Sequence, residues 1–361
     1  MSHYEERLEQ DLTRIRNDVV KMAERVTKGL DNAVHALLKG DHQLATATIL
    51  ADHPVNRAMR AIDRLCHAFI ALHLPSAGHL RLLSAVIRVN IALERIGDYA
   101  VTIARVSEQL AEPPHGQMAR ELERFANEAQ LMLKQAVSAF NELNADKAKA
   151  TMVMERDMEY DLDTVYAELM DNREHEKIKN LLAVFVIFTH LKRVADQAKN
   201  LCEETVFAVT GETKAPKVYN ILFVDEHNCC LSPMAEAIAR KAFPESGNYS
   251  SAGSKPSGAL NASVVQFMAD HGIDLSELKP RALELTHHEI AEKHVIVSLQ
   301  GPVKNFVPEL PFHTTGLEWD IGPVTDDEVS QLSTEEMEGI YRQIATRVSD
   351  LMELLRGADA R

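Results

Sequence analysis

The stretch HLRLLSAVIRVNIALERIGDYAVTIARV, residues 79–106, decides how the first half of the chain folds. Its apolar residues recur at alternating steps of four and three, and they are Leu82, Val86, Val89, Leu93, Ile96, Ala100 and Ile103. Such a stripe covers one side of an α-helix and is typical of the buried seam of a helix bundle. Similar spacing extends to about Val209 and predicts about six long helices, with breaks at residues 40–41, 74–76, 112–116 and 144–146.

The predicted helices form two copies of a three-helix unit. A shift of 98 residues places ALERIGDYAVTI (92–103) on HLKRVADQAKNL (190–201). The same shift matches two pairs of aspartates, which are Asp98 with Asp196 and Asp63 with Asp161. Because helix order and length also match, the pattern favours an internal duplication.

The composition of the chain changes after Thr210. Residues 210–218 include Gly211 and Pro216 and are typical of an interdomain linker. Beyond them, strand-like and helical runs alternate, as in YNILFV, LSPMAEAIARKAF and EKHVIVSL, and a capping box at Ser333 begins a final helix. This alternation of strands and helices predicts an α/β domain with a parallel sheet between helices.

The sequence therefore predicts two domains of different fold class. The first is an all-α bundle at residues 1–209, with repeats at about 1–112 and 117–209. A linker at 210–218 joins it to an α/β domain at 219–361.

Charge and cysteine usage limit the function classes. The formal net charge of −15 argues against nucleic acid and anionic membranes as partners, because phosphate-rich surfaces attract clustered Lys and Arg. Four cysteines in 361 residues do not make a disulfide framework. The most apolar run, LLAVFVIF at 181–188, is too short to span a bilayer. We therefore expect a cytoplasmic protein without direct membrane insertion.

Polar residues on the 79–106 helix are candidate metal ligands. Asn90, Glu94 and Asp98 are spaced four apart and share one face. Two carboxylates can bind a hard cation, and Asn90 can add a neutral oxygen; a solvated acidic face is the alternative. In the second copy Asp196 is retained, but Lys192 replaces the glutamate and is expected to pair with Asp196. At most one complete metal site is therefore expected.

The helical half resembles the PhoU family. The resemblance rests on ALERIGDYA (92–100), HLR (79–81), DHPVNRAMRAID (52–63) and the duplicated layout. It implies that Glu94 and Asp98 belong to a metal-binding E-x-x-x-D motif, with iron, zinc, magnesium or manganese as candidates. It also implies a negative regulator of phosphate uptake, with a phosphate-specific ABC transporter and its sensor kinase as partners. Assembly as a homodimer stays open.

The residues DEHNCCLS at 225–232, here called the cradle loop, connect a predicted strand to a predicted helix. That layout is typical of loops that bind phosphate at a helix N-terminus. The α/β half resembles the low-molecular-weight phosphotyrosine phosphatase and arsenate reductase family through this loop, SSAGS (250–254), HGIDLSELKPRAL (271–283) and VIVSL (295–299). In that family a thiolate attacks phosphorus and an arginine binds the phosphate oxygens.

The cradle loop departs from the family at the positions of the reaction. The nucleophile position is Asp225, the arginine position is Leu231, and a loop glycine is replaced by His227, for which a left-handed backbone would be costly. The Asp-Pro dipeptide of the general acid is replaced by Gly322-Pro323. The retained positions are Asn228, Cys230, Ser232 and Pro233. The resemblance thus predicts a phosphatase-like domain without catalysis.

The leading hypothesis is a regulator of phosphate homeostasis that acts by binding metal and protein. An enzyme is the alternative, either an atypical phosphatase or an arsenate reductase-like protein that uses Cys229 or Cys230. Asp225 could also form an acyl phosphate if Glu226 helped to bind magnesium. A third alternative is a structural metal-binding bundle whose second domain supports oligomerisation.

Overall fold

The computed structural model describes residues 3–110, 112–155, 178–284, 286–321, 328 and 331–361. The chain divides into two compact units, Met1–Lys214 and Ala215–Arg361. This division falls within the predicted linker at 210–218, and the finer domain limits drawn from the sequence stay predictions. None of the helices that the structure describes combines the length and the apolar character needed to cross a bilayer.

The first unit is built from α-helices, as predicted. They are α1 (His3–Lys39), α2 (His42–Leu50), α3 (Asp52–Leu72), α4 (Ala77–Gln109), α5 (Gly116–Glu142), α6 (Ala145–Met152) and α7 (Ile178–Thr210). The predicted breaks coincide with helix ends. Asp161, which the repeat matches with Asp63, lies outside the described residues.

One predicted long helix is divided in the structure. Helix α2 ends at Leu50 and α3 begins at Asp52, where a single helix over residues 42–73 was expected. Pro54 explains the division, because its ring would clash with the carbonyl of Leu50 in a continuous helix. In the first turn of a new helix its missing amide hydrogen costs nothing.

Helix α4 contains the predicted seam and packs against α1, α2, α3 and α7. All seven apolar residues of the seam are buried. Ser76 begins the helix with a capping box, in which its hydroxyl accepts a hydrogen bond from the His79 amide and its own amide donates to the His79 ring. The position of α4 within the bundle therefore follows from its sequence pattern.

The second unit contains a four-stranded parallel sheet in the order β2-β1-β3-β4. Its strands are β1 (Tyr219–Asp225), β2 (Gly247–Gly253), β3 (Val295–Ser298) and β4 (Thr315–Glu318). Its helices are α8 (Leu231–Ala242), α9 (Ala262–Asp270), α10 (His287–Ala291) and α11 (Thr334–Arg356). The capping box predicted at Ser333 is present at the start of α11.

Strand β1 is buried on both faces. Ile221 and Phe223 pack with α8, α9 and α11, while Leu222 and Val224 pack in a second apolar cluster on the other face. This arrangement follows from the alternation of side chains along a strand. Both faces of the sheet are thus covered, as predicted, and β1 ends where the cradle loop begins, at Asp225.

Candidate functional site

Helices α3 and α4 bring three carboxylates of the first repeat near one another. Burial raises the pKa of Glu94, the negative charges of Asp98 and Asp52 raise it further, and Arg95 opposes them. Burial also raises the pKa of Asp98, again with Asp52 as a second cause. Each carboxylate disfavours the charged form of its neighbours, so the group has negative potential that a cation would relieve.

Asp52 was not singled out from the sequence, yet it completes this group. Its Oδ2 accepts a hydrogen bond from the side-chain Nδ2 of Asn56, whereas its Oδ1 is buried and has no hydrogen-bond partner. A buried carboxylate oxygen without a donor is costly, and a bound cation would satisfy it. Among the described residues, no three or more Asp, Glu, His or Cys side chains are already arranged as a metal site. The carboxylates would therefore have to rotate towards a common ion.

Asn90, the third predicted ligand, makes different contacts. It is fully buried, and its Nδ2 donates to the Met59 carbonyl at 2.9 Å and to Asp63 Oδ1 at 3.1 Å. Eight residues along a helix correspond to about 12 Å, which is too far for one ion to bind both Asn90 and Asp98. Asn90 therefore connects α3 to α4 through its Nδ2, while its Oδ1 is buried and has no hydrogen-bond partner.

The second repeat has two lysines in this region, and one of them, Lys192, occupies the position that matches Glu94. Lys192 Nζ lies 2.6 Å from Asp196 Oδ1 and 3.2 Å from Glu155 Oε1, and Lys199 Nζ lies 2.7 Å from Glu155 Oε2. The predicted pairing of Lys192 with Asp196 is confirmed. Burial acts to raise the pKa of Glu155, but the two lysines outweigh it and the pKa is lowered. Burial raises the pKa of Asp196, with Glu155 as a further cause, although Lys192 acts to lower it. Asp196, predicted as a metal ligand, is an ion-pair partner of Lys192 in this structure.

The cradle loop folds around the carboxylate of Asp225. Oδ1 accepts a hydrogen bond from the Asn228 amide at 2.6 Å, and Oδ2 accepts one from the Ser232 amide at 2.8 Å. The residue is 3% exposed. Inward backbone N–H groups at a helix N-terminus are the usual donors to bound oxyanions. The Asp225 carboxylate is therefore an internal anion bound to donors of the kind that an external phosphate would need.

The outer side of the loop is fixed by the segment that follows β2. Four loop carbonyls accept hydrogen bonds from backbone amides of this segment, in the pairs Asp225 with Ser254, Glu226 with Lys255, His227 with Ser257 and Cys229 with Asn261. Gly253 lies directly beneath the loop, since an added Cβ would lie 2.8 Å from the Asn228 amide nitrogen. The loop is thus anchored through its carbonyls.

The left-handed residue of the loop is Asn228, with φ of 49°, and His227, for which such a backbone would be costly, does not adopt it. Asparagine adopts this conformation more readily than most residues, because its short side chain bonds locally. Its Nδ2 donates to Ser232 Oγ at 2.9 Å, and its Oδ1 accepts from the Arg281 amide at 2.7 Å. The retained Asn228 and Ser232 therefore support the shape of the loop.

Other residues of and near the loop are buried or paired. Leu231, which the resemblance places at the arginine position, is buried in the apolar cluster that contains Ile221 and Phe223. The Arg281 guanidinium lies 3.3 Å from the buried carboxylate of Glu236. Cys229 and Cys230 are buried, with Sγ atoms 3.2 Å apart. Gly322-Pro323, the position of the general acid, lies outside the described residues.

Two family models match the chain. The PhoU domain matches residues 19–107 and 118–205, and the low molecular weight phosphotyrosine protein phosphatase matches residues 220–357. The phosphate-specific transport system accessory protein PhoU homolog of Synechocystis is 30% identical over 206 residues, which are 56% of this chain and 92% of that protein. The homolog of the same name from Clostridium acetobutylicum is 26% identical over 207 residues, or 56% of this chain and 94% of that protein.

A solved structure agrees with these relatives. The crystal structure of PhoU from Pseudomonas aeruginosa superposes with a TM-score of 0.55 at 29% identity, over 56% of this chain and 99% of that one. The chain therefore belongs to the PhoU family, and its PhoU region is followed by a domain that matches the low-molecular-weight phosphatase family.

Proposed function

We propose that this protein is an accessory regulator of phosphate transport that restrains uptake when phosphate is plentiful. The observation that supports this most is the extent of the match, since the PhoU homolog of Synechocystis aligns over 92% of its length. The proposed partners are a phosphate-specific ABC transporter and its sensor kinase, as the resemblance implies. The proposal places the protein in the cytoplasm.

Phosphate uptake by cells tests this role. Bacteria that produce the transporter but lack their own regulator would be compared with and without this chain in phosphate-rich medium. We expect the chain to lower the uptake of radiolabelled phosphate. Unchanged uptake, with the chain present at normal levels, would contradict the proposal.

The first repeat is the proposed metal site of this regulator. Asp52, Glu94 and Asp98 would bind a divalent or ferric ion, because hard ions prefer carboxylate oxygens. The ion would supply the positive charge that this group lacks and a partner for the buried Oδ1 of Asp52. The second repeat is not proposed as a metal site, since Lys192 already neutralises Asp196.

The α/β unit is proposed to act by binding and not by catalysis. An anion approaching within about 4 Å of the Asp225 carboxylate is repelled by about 4 kcal/mol per unit charge at an effective dielectric constant of 20. Leu231 supplies no charge to offset this repulsion. The internal anion therefore opposes entry of a phosphate monoester as well as replacing the nucleophile.

Hydrolysis of p-nitrophenyl phosphate tests this part of the proposal. We expect the wild-type protein and Asp225→Ala to show the same background rate. A wild-type activity that Asp225→Ala abolishes would contradict it. Alkylation of the cysteines tests the reductase alternative, because that reaction depends on Cys229 or Cys230.

A further inference from the structure

The second repeat has a network of lysines where the first has a group of carboxylates. The shift of 98 residues matches Glu94 with Lys192 and Asp98 with Asp196. We infer that the ammonium groups of Lys192 and Lys199 are internal cations that replace a metal ion in the second repeat. The chain accordingly binds metal through its first repeat alone.

The geometry of the network supports this replacement. The Lys192 ammonium contacts one carboxylate oxygen on each side, Asp196 Oδ1 at 2.6 Å and Glu155 Oε1 at 3.2 Å. The other oxygen of Glu155 lies 2.7 Å from Lys199. An ammonium group has three donors and can satisfy two carboxylates at once, as a bridging cation does. Among the residues that the structure describes, two ammonium groups of α7 thus pair with the carboxylates of Asp196 and Glu155.

Burial makes the network exclude a second cation. The side chains of Lys192 and Glu155 are 13% and 7% exposed, so water screens their charges poorly. A metal ion bound to Asp196 would have to displace Lys192 from it and leave the ammonium beside a dication. Asp196 is 36% exposed, but the same ammonium also pairs with the buried Glu155. Because breaking one partner out of a buried ion pair is strongly unfavourable, the lysine retains the site.

The first repeat has the negatively charged Glu94 at the position where the second has Lys192. In the first repeat the buried Oδ1 of Asp52 has no hydrogen-bond partner. In the second repeat Asp196 Oδ1 and both carboxylate oxygens of Glu155 lie within 3.2 Å of a lysine ammonium. Removing metal should therefore alter the first repeat and leave the second assembled. This asymmetry rests on the proposed function for the metal of the first repeat, whereas the internal cations of the second repeat stand without it.

Counting bound Mn²⁺ tests the inference on the full-length protein. Four proteins would be freed of metal with a chelator and dialysed against Mn²⁺, namely the wild type, Lys192→Glu, Glu94→Gln/Asp98→Asn and the triple variant. We expect one Mn²⁺ per chain for the wild type, two for Lys192→Glu, none for Glu94→Gln/Asp98→Asn and one for the triple variant. Lys192→Glu should gain an ion because it recreates the carboxylate pair of the first repeat. Lys147→Glu is the matched control, since Lys147 pairs with Glu142 elsewhere in the second repeat.

Each outcome tests either the internal cations of the second repeat or the proposed metal site of the first. A folded Lys192→Glu protein that binds no more Mn²⁺ than the control overturns the inference, as does a wild-type ion that survives Glu94→Gln/Asp98→Asn. If the wild type binds none and Lys192→Glu binds one, the internal cation stands and the proposed metal site of the first repeat fails. If Lys192→Glu unfolds without metal, Mn²⁺ should restore its helical circular dichroism, and no recovery overturns the inference.

Discussion

The two repeats of the helical unit hold opposite charges at one matching helix position, which is Glu94 in the first and Lys192 in the second. In the first, Asp52 adds to the negative charge at Glu94 and Asp98. In the second, Lys192 neutralises Asp196. The buried seam determines how the helices pack, so charges on the partly exposed face can change without changing the fold. The comparison teaches that a duplicated site can lose its external ligand by acquiring an internal one.

The α/β unit shows the same exchange with the charges reversed. Its cradle loop retains the amide donors of an oxyanion site, and the carboxylate of Asp225 accepts hydrogen bonds from two of them. An internal anion there corresponds to the internal cations at Lys192 and Lys199. Three candidate sites thus divide into one with a buried carboxylate oxygen that has no hydrogen-bond partner and two in which charged groups are bound by groups of the chain itself.

The largest effect is expected from removing the internal anion. Asp225→Ala leaves the amides of Asn228 and Ser232 without this acceptor, and two charge-assisted bonds suggest a loss of about 4 kcal/mol in the free energy of unfolding. Trp319 is the sole tryptophan of the sequence and is buried in this unit, so its fluorescence reports the loss. Glu226→Ala is the control, because its pair with Lys255 is exposed.

Removing the internal cation should have the next largest effect. Lys192→Met leaves the partly exposed Asp196 without its ammonium and Glu155 with Lys199 alone, which should cost roughly 2 kcal/mol. Circular dichroism in denaturant would measure the loss, and unchanged Trp319 fluorescence would assign it to the helical unit. Lys147→Met breaks a more exposed pair and should cost less than about 1 kcal/mol. Equal losses for the two lysines would remove the distinction between the repeats.

Converting the first repeat to the charge of the second should stabilise it modestly. Glu94→Lys places an ammonium one turn from Asp98 and removes a like charge, so we expect a gain of roughly 0.5 kcal/mol without metal. The same variant should lose Mn²⁺ binding, as measured by dialysis. Glu121→Lys is a control with the same charge change on an exposed surface. Retained Mn²⁺ binding would show that Glu94 is not a ligand.

The smallest effect concerns pH. The pKa values of Glu94 and Asp98 are raised in the folded protein, so the folded state binds protons more readily than the unfolded state. In metal-free protein these groups should therefore add stability as pH falls from neutral through their raised pKa values, down to their ordinary values. Denaturant unfolding between about pH 7 and 4 would measure this rise in the free energy of unfolding. The trend should weaken in Glu94→Gln/Asp98→Asn.

Much of the fold could be predicted from the sequence, because it depends on regular patterns. The seam at residues 79–106, the buried strand at Ile221 to Val224 and the capping box at Ser333 are local signals. The division at Pro54 was missed, although proline is a known helix breaker, because the apolar spacing continues across it. Strand β4 was also missed, since Thr315–Glu318 is largely exposed and lacks an apolar run.

The candidate sites were less predictable, because they depend on contacts between separate elements. The repeat cannot reveal Asp52 or Glu155, since the shift of 98 matches them with Ala150 and Arg57. The resemblance predicts that Asp225 takes the place of the nucleophile. Its hydrogen bonds to the loop amides follow from the three-dimensional path of the loop, which residue spacing does not determine.

The position of bound Mn²⁺ in a crystal would show which repeat binds the ion. Anomalous diffraction from wild-type crystals soaked in Mn²⁺ would locate the ion without any substitution. We expect one peak per chain, among the carboxylates of Asp52, Glu94 and Asp98, and none within the lysine network. A peak bound to Asp196 or Glu155, or no peak beside Glu94, would contradict this expectation.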